Sequence, residues 1–410
     1  MMERWELPKG WEWKQIGEVA QDTERRNPSA RPNERFFYID IAAIDNKNYC
    51  IRLEGVKEIQ GKDAPSRARK VVHTNDIIFA TTRPYLKNIA IVPQALDNQI
   101  CSTGFCVLRA KPGMAIPKYL FFAVLTNSFI HQLTPKGANY PAVNDSDIYQ
   151  AIIPIPYPDD PARSLAEQRR IVARLELLLG ETRAMREDIQ AMRRDLAQVM
   201  ESVLAEVFPN PNEEMPRGWD VQEVRTISEP PQYGYTQSAT TTNTGTKFLR
   251  ITDIRNGNVE WEEVPYCQID NNNFDKYALS DGDIVFARSG ATTGKTFLVK
   301  NPPRAVFASY LIRLRIRGVF PDFVYWFFQS SHYWNQVRLR GGAQPNMNAN
   351  LLSQILVPIP KNFSEQRRIV AYLEHIAEEI RAMDDVLAQD LRDIEVLEQS
   401  ILAAAFRGEV

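Results

Sequence analysis

Two stretches of the chain place apolar residues at alternating steps of four and three. The first series is Ile171, Leu175, Leu178, Thr182, Met185, Ile189, Met192, Leu196, Val199 and Val203, with Thr182 its weakly polar member. The second is Ile369, Leu373, Ile376, Ile380, Met383, Leu387, Asp390, Ile394, Leu397 and Ile401, with Asp390 its one charged member. A seam of this period, sustained over four to five heptads, predicts two long helices packed as a coiled coil. Forty helical residues span roughly 60 Å at about 1.5 Å per residue. An ordinary core helix has only about 11–12 residues. A polar residue at one core position can set register, which is the role expected of Asp390.

The two helices are nearly copies. Residues 167–176 read EQRRIVARLE and residues 365–374 read EQRRIVAYLE, nine of ten positions being identical. The match runs without a gap from 167–208 to 365–406. The segments before the helices also correspond. Each opens on Pro-Lys/Arg-Gly-Trp, at Pro8–Trp11 and Pro216–Trp219. Then 36–48 parallels 246–258, and DIIFATTR (76–83) parallels DIVFARSG (283–290), with the β-branched and aromatic content of strands. PKYLFFAVLTN (117–127) parallels PDFVYWFFQSS (321–331), short apolar helices opened by proline. KGANYPAVN (136–144) parallels RGGAQPNMN (340–348), and AIIPIP (151–156) parallels ILVPIP (355–360), strands ended by proline. The order is therefore domain, helix, domain, helix, a repeat architecture rather than one continuous fold.

Length, 410 residues, allows two or three domains with ample cores. The N-terminus carries no apolar signal core and no stretch approaches 18 uninterrupted apolar residues, which places the chain in the cytosol, with no membrane partner. Cys50, Cys101, Cys106 and Cys267 form no CxxC pair, and four isolated histidines suggest no metal constellation. The net charge of −2 conceals an uneven distribution. Residues 363–410 hold 5 basic and 11 acidic residues, whereas 1–163 hold 21 and 18, and 209–362 hold 16 and 14. Between Ile284 and Ser364 there are ten basic residues and one acid; between Ile77 and Asn144 there are six and one. Such one-sign stretches fit a surface that meets phosphates, although they also occur as solvated faces.

Two motifs imitate catalytic ones. GATTGKT (290–296) ends like a phosphate-binding loop, but only three residues separate its glycines and TFLVKNPP reads as a strand where a helix is required. A hairpin with Lys295 near a DNA phosphate fits better. NPPR (301–304) has Arg304 where amino-methyltransferases place an aromatic ring, and no glycine-rich cofactor fingerprint precedes it, so it reads as a stiff turn. No nucleophile–base pair or paired carboxylates can be assembled. The expectation is a non-catalytic chain with no catalytic residue, cofactor or metal.

The twofold order of Pro-Lys/Arg-Gly-Trp, GDIVFARSG, RGG-Q-P-N, PIP and SEQRRIVAYLE resembles the specificity subunit of type I restriction–modification enzymes, over essentially the whole chain. The resemblance implies a mixed α/β (α+β) fold: two similar globular target-recognition domains separated by two long helices that form an antiparallel coiled coil with pseudo-twofold symmetry. The expected boundaries are 1–163, 164–208, 209–362 and 363–410. Each domain would read one half of a bipartite site in double-stranded DNA, and the coil would set the gap. Two methyltransferase subunits and two restriction/motor subunits are the implied partners. The first domain departs from the pattern: Thr82-Arg83-Pro84-Tyr85-Leu86-Lys87 is shorter than 288–295 and lacks its glycines.

Arg and Lys pair with guanine edges or phosphate, and Asn and Gln with adenine. On these grounds the DNA-binding candidates are Arg83, Lys87, Lys136, Asn139, Tyr140 and Asn144 in the first domain. In the second they are Arg288, Lys295, Arg340, Gln344 and Asn348. Asn144 and Asn348 suit a turn or helix cap equally well. Gly137, Gly341 and Gly342 suit unusual backbone angles rather than base contact. Two other readings stay open: an enzyme acting alone, marked by cofactor binding, and a coiled-coil adaptor that binds only proteins, marked by indifference to DNA.

Overall fold

In the computed structural model the described residues are 5–255, 257–288, 293–341 and 347–410, without the side chains of 339–341. The chain forms two compact units, residues 1–189 with 389–410, and residues 190–388.

In the first unit the strand Trp11–Gln15 pairs antiparallel with Ile152–Pro156, in register from Trp11 opposite Pro156 to Gln15 opposite Ile152. That ribbon has only two strands, so Pro154 and Pro156 sit where a missing N–H costs no ladder bond. Between its strands lie two four-stranded sheets. One has the order Lys57–Gln60, Arg35–Ile39, Gln99–Ser102, Ala68–Val72, its only parallel pair being 99–102 with 35–39. The other, Ala20–Gln21, Phe105–Ala110, Ile77–Ala80, Ile89–Ile91, is antiparallel. Helix Pro117–Leu125, opened by proline at its first turn, buries Tyr119 through Leu125.

The second unit repeats this plan. Trp219–Glu223 pairs with Leu356–Pro360. The antiparallel sheet is Gln232–Tyr233, Leu311–Arg315, Asp283–Ala287, Thr296–Leu298, and Lys247–Leu249 runs parallel to Ala305–Phe307. Helix Pro321–Phe327 is the counterpart of Pro117–Leu125.

The two long helices run over Pro161–Val207 and Phe363–Phe406. In the first unit, Ile171, Val172 and Leu175 of the central helix share a core with Leu402, Ala405 and Phe406 of the C-terminal helix and with Tyr119. In the second unit, Leu204 and Phe208 share a core with Ile369, Val370, Leu373, Phe323 and Phe327. Burying each of the Ile, Val, Leu and Phe side chains among them stabilises by about 1.5–3 kcal/mol. The pairing is antiparallel: in the first unit Arg170 bonds Val410 O, while Thr182 and Arg186 bond Glu398. In the second, Arg193 bonds Asp384.

The repeated EQRR sequence has a structural cause. Gln168 and Gln366 are buried, and each accepts the backbone N–H that precedes a proline-started helix, from Ile116 and Phe320, both at 2.9 Å. That N–H would otherwise be an unpaired donor at a buried helix start. Gln132 and Gln336 repeat a second device, each exchanging two hydrogen bonds with the closing strand, at Ile152 and Leu356.

The heptad seam is less closed than its period predicts. Met185, Met192, Val199, Met383 and Leu397 are exposed, because two helices alone can cover only one stripe of each other. Asp390 is exposed and is not a core register device. The buried polar seam position is Thr182, whose hydroxyl shares its one proton between Leu179 O and Glu398.

Candidate nucleic-acid interface

In the first unit the loop after strand Ile77–Ala80 meets the loop at 136–143. Val143 N–H donates to Thr81 O at 3.0 Å, and Arg83 N–H to Pro141 O at 2.7 Å. Lys136 and Ala142 exchange two backbone hydrogen bonds, closing a tight loop that presents Gly137 to Tyr140 outward. Gly137 has φ +111°, and a Cβ there would lie 3.3 Å from Tyr140 O, so glycine is required for this turn.

Arg83 has φ +50°, an uncommon conformation for a bulky residue. Its guanidinium lies 5.0 Å from the Tyr140 ring centroid and donates to Asn139 O at 3.1 Å. Lys136, Asn139, Tyr140 and Asn144 are exposed, and so is Tyr85. Charge, amide and aromatic face are thus gathered on one loop pair, the mixture that recognises phosphates and bases.

The second unit makes the same junction. Met347 N–H donates to Arg288 O at 3.0 Å, as Val143 N–H does to Thr81 O. The Arg288 guanidinium lies 4.8 Å from the Tyr233 ring centroid, and Tyr233 Oη accepts the Ala349 N–H at 3.1 Å. Arg288 N–H donates to Tyr310 O, and the Tyr310 side chain is exposed. Lys295 is exposed in the same hairpin, where Ala287 N–H donates to its carbonyl at 2.9 Å. Strand Thr296–Leu298 follows Lys295, so no helix is present to cradle a nucleotide phosphate. The NPPR segment is a turn: Asn301 N–H bonds Asp281, and Arg304 packs 3.5 Å from the Phe274 ring centroid.

Gln344 lies outside the described residues, as does the side chain of Arg340. Asn144 and Asn348 both occupy N-cap positions. Asn348 Oδ1 accepts the Leu351 N–H at 2.8 Å, and Asn144 N–H donates to Asp147 at 2.8 Å. Lys87 faces inward: its ammonium donates to Leu125 O and Asn127 Oδ1, both at 2.8 Å, and burial lowers its pKa to about 8. Tyr85, Tyr233 and Tyr310 stand beside the candidate residues, and sequence reasoning missed them. Only aromatic character beside a basic loop could have flagged Tyr85 and Tyr310, while Tyr233 joins Arg288 solely through the fold.

The one-sign stretches are largely balanced in space. Arg315 pairs with Asp283, Arg317 with Glu229, Lys300 with Asp322, Lys361 with Asp220, and Arg109 with Asp76. Arg313 is mostly buried, donating to Ala278 O and to Gln232. Arg83, Lys136, Arg288 and Lys295 form no ion pair among the described residues.

The inward ammonium of Lys87 gives a pH signature. Its folded pKa lies below the unfolded value of about 10.4, so the unfolded chain binds more protons between about pH 8 and 10.4. Its contribution to stability is therefore expected to rise with pH across that window and to vanish in Lys87→Met. Urea melts at pH 7.5 and 9.5 check this; an identical pH response in both proteins would contradict it.

The sequence profile of the type I restriction modification DNA specificity domain matches residues 8–191 and again 216–388. The chain belongs to this family. It is a type I specificity subunit, with a DNA target-recognition role. The EcoKI specificity subunit of Escherichia coli (strain K12) is 24% identical over 330 residues, covering 74% of this chain and 69% of that protein. The MjaVIII specificity subunit of Methanocaldococcus jannaschii is 22% identical over 413 residues, covering 96% and 91%. Among solved structures, a chain from a study of complex assembly in a type I R-M system is 34% identical, covers 99% of this chain and 100% of itself, and has a TM-score of 0.82. The HsdS subunit of Thermoanaerobacter tengcongensis is 36% identical, covering 100% and 99%, with a TM-score of 0.60.

Proposed function

We propose that this specificity subunit reads a bipartite site in double-stranded DNA, residues 1–163 taking one block and residues 209–362 the other. The observation that carries this reading is the repeated loop junction. The same backbone hydrogen bond joins the same two loops in each unit, and beside it each unit stacks an arginine on a tyrosine. Two readers of like geometry suit two short blocks, each read in a groove by a few side chains. Arg83, Lys136, Asn139 and Tyr140 carry one block. Arg288 and Lys295, with Tyr233 and Tyr310 beside them, carry the other. Lys87, Asn144 and Asn348 hold the loops in place through the inward and capping bonds described above.

The chain itself performs no bond-making step. It acts in the cytoplasm as the frame of an assembly with two methyltransferase subunits and two restriction/motor subunits. An apolar groove of Met192, Leu196, Val199, Met383, Val386 and Leu387 supports docking of a partner on the helices. The length of the paired helices sets the gap between the blocks.

Arg288→Ala is expected to weaken discrimination at one position of one block by about 1–3 kcal/mol, the value of one good base contact. The block read by residues 1–163 should stay as specific as before. Sequencing the methylated sites made by the variant with its methyltransferase partner checks this. Relaxation of both blocks, or of neither, would refute the assignment, and methylation or partner binding indifferent to DNA sequence would favour a protein-only adaptor.

A further inference from the structure

Within the first unit, helix Pro117–Leu125, the turn before strand Cys50–Ile51 and both long helices line a half-open cavity of about 440 Å³. Its apolar floor includes Phe121, Phe122, Leu179 and Leu402. Four cations line it, Lys47, Lys118, Arg183 and Arg186, against two carboxylates, Glu176 and Glu398. Lys118 is paired with Glu176, and Arg186 donates to Glu398 at 2.8 Å. Among the described residues neither Lys47 nor Arg183 has a carboxylate at ion-pair distance, so both head groups are free to turn to a guest, with Asp45 and Glu54 as the nearby acids outside the lining.

Two lining residues break local preference. Gly180 stands in the interior of the central helix, where glycine is the least favoured residue apart from proline. A Cβ there would meet nothing within 4 Å, so packing inside the chain does not call for glycine. Tyr49 has φ +52°, a left-handed backbone that is strained for an aromatic residue. Tyr49 is held there by its packing against the first unit's core, whereas no contact within the chain accounts for Gly180, and an unrepaid departure from local preference marks a candidate functional site. The second copy does not repeat the chemistry, with Glu378 in the place of Gly180 and Asp322 in that of Lys118.

We infer that this cavity binds a small amphipathic anion, its apolar body against Phe121 and Phe122 and its carboxylate at Arg183 and Lys47. The volume falls within the roughly 300–1,000 Å³ of small-molecule sites, and the unpaired cations set the charge of the guest. Gly180 leaves room for that guest against the helix. Bound there, it would tie the first domain to both helices, a role separate from DNA reading.

Calorimetric titration of the full chain with 1-naphthoate tests the site, with 1-naphthalenemethanol as the uncharged control. One saturable site is expected, at least tenfold weaker for the alcohol. Gly180→Phe should abolish binding by filling the space, and Arg183→Glu should weaken it at least tenfold, both with native circular dichroism. If Gly180→Phe does not fold, Arg183→Glu decides, since its side chain is exposed. No saturation at millimolar naphthoate, equal affinity for the alcohol, or unchanged binding in a folded variant would overturn the inference.

Discussion

Exchanging residues 209–362 for the equivalent segment of a related subunit is expected to replace one half of the methylated motif and leave the other half unchanged. The segment enters and leaves at one ribbon: Trp219 lies opposite Pro360 and Glu223 opposite Leu356. Adjacent ends let a segment be replaced without moving what it is attached to. The helices meet it through a compact set of groups: Leu204, Phe208, Ile369, Val370 and Leu373, with Gln366 bonded to Phe320 N–H. An exchanged segment must therefore keep an apolar counterpart of Phe323 and Phe327 and a free N–H at the start of its helix. Methylation by the hybrid with its methyltransferase partner gives the readout. A change in both halves, or in neither, would show that the domains do not read independently.

Asp145→Ala is expected to destabilise the first unit strongly, although the residue is partly exposed at the start of a short helix. Lys70 is 1% exposed on strand Ala68–Val72, its ammonium donating to Phe105 O at 2.7 Å and pairing with Asp145. Asp145 opens the helix Asp145–Gln150, directly after Asn144. Removing the carboxylate strands a buried charge, at a cost of about 3 kcal/mol, the lower end for such pairs because Asp145 is partly exposed. At about 1.4 kcal/mol per decade, amide exchange in strand Ala68–Val72 should accelerate roughly 100-fold if that strand opens with the unit. Adding Lys70→Met should recover most of the loss, because replacing both partners with apolar groups is often nearly neutral. Since Asp145 anchors the loop that carries Asn139 and Tyr140, the single variant should also relax the block read by residues 1–163 alone. Undiminished protection in Asp145→Ala, or no rescue by the second change, would contradict this account of the pair.

Periodicity made the long helices legible, because an apolar residue at each three-or-four step has one physical solution. Internal repetition exposed the domain plan in the same way, down to Gln168 and Gln366, whose shared role became clear only with the buried N–H groups they satisfy. Charge was far less legible. Arg315 and Lys300 belong to an almost purely basic stretch of sequence, yet each finds its carboxylate at Asp283 or Asp322 in space. Lys87 looked like a phosphate ligand because a sequence shows that a lysine is present, not which way it points. The capping role of Asn144 and Asn348 was legible, since asparagine before a short helix is a preferred cap. Tyr233 was invisible because it lies 55 positions before Arg288 and reaches it only through the sheet order.

The reading of two blocks by two loop clusters is tested most directly by sequencing the methylated sites in plasmid DNA modified by this subunit with its methyltransferase partner. The expected motif has two short specified blocks separated by a gap of fixed length and unspecified sequence. A single contiguous block, or methylation without sequence preference, would contradict it.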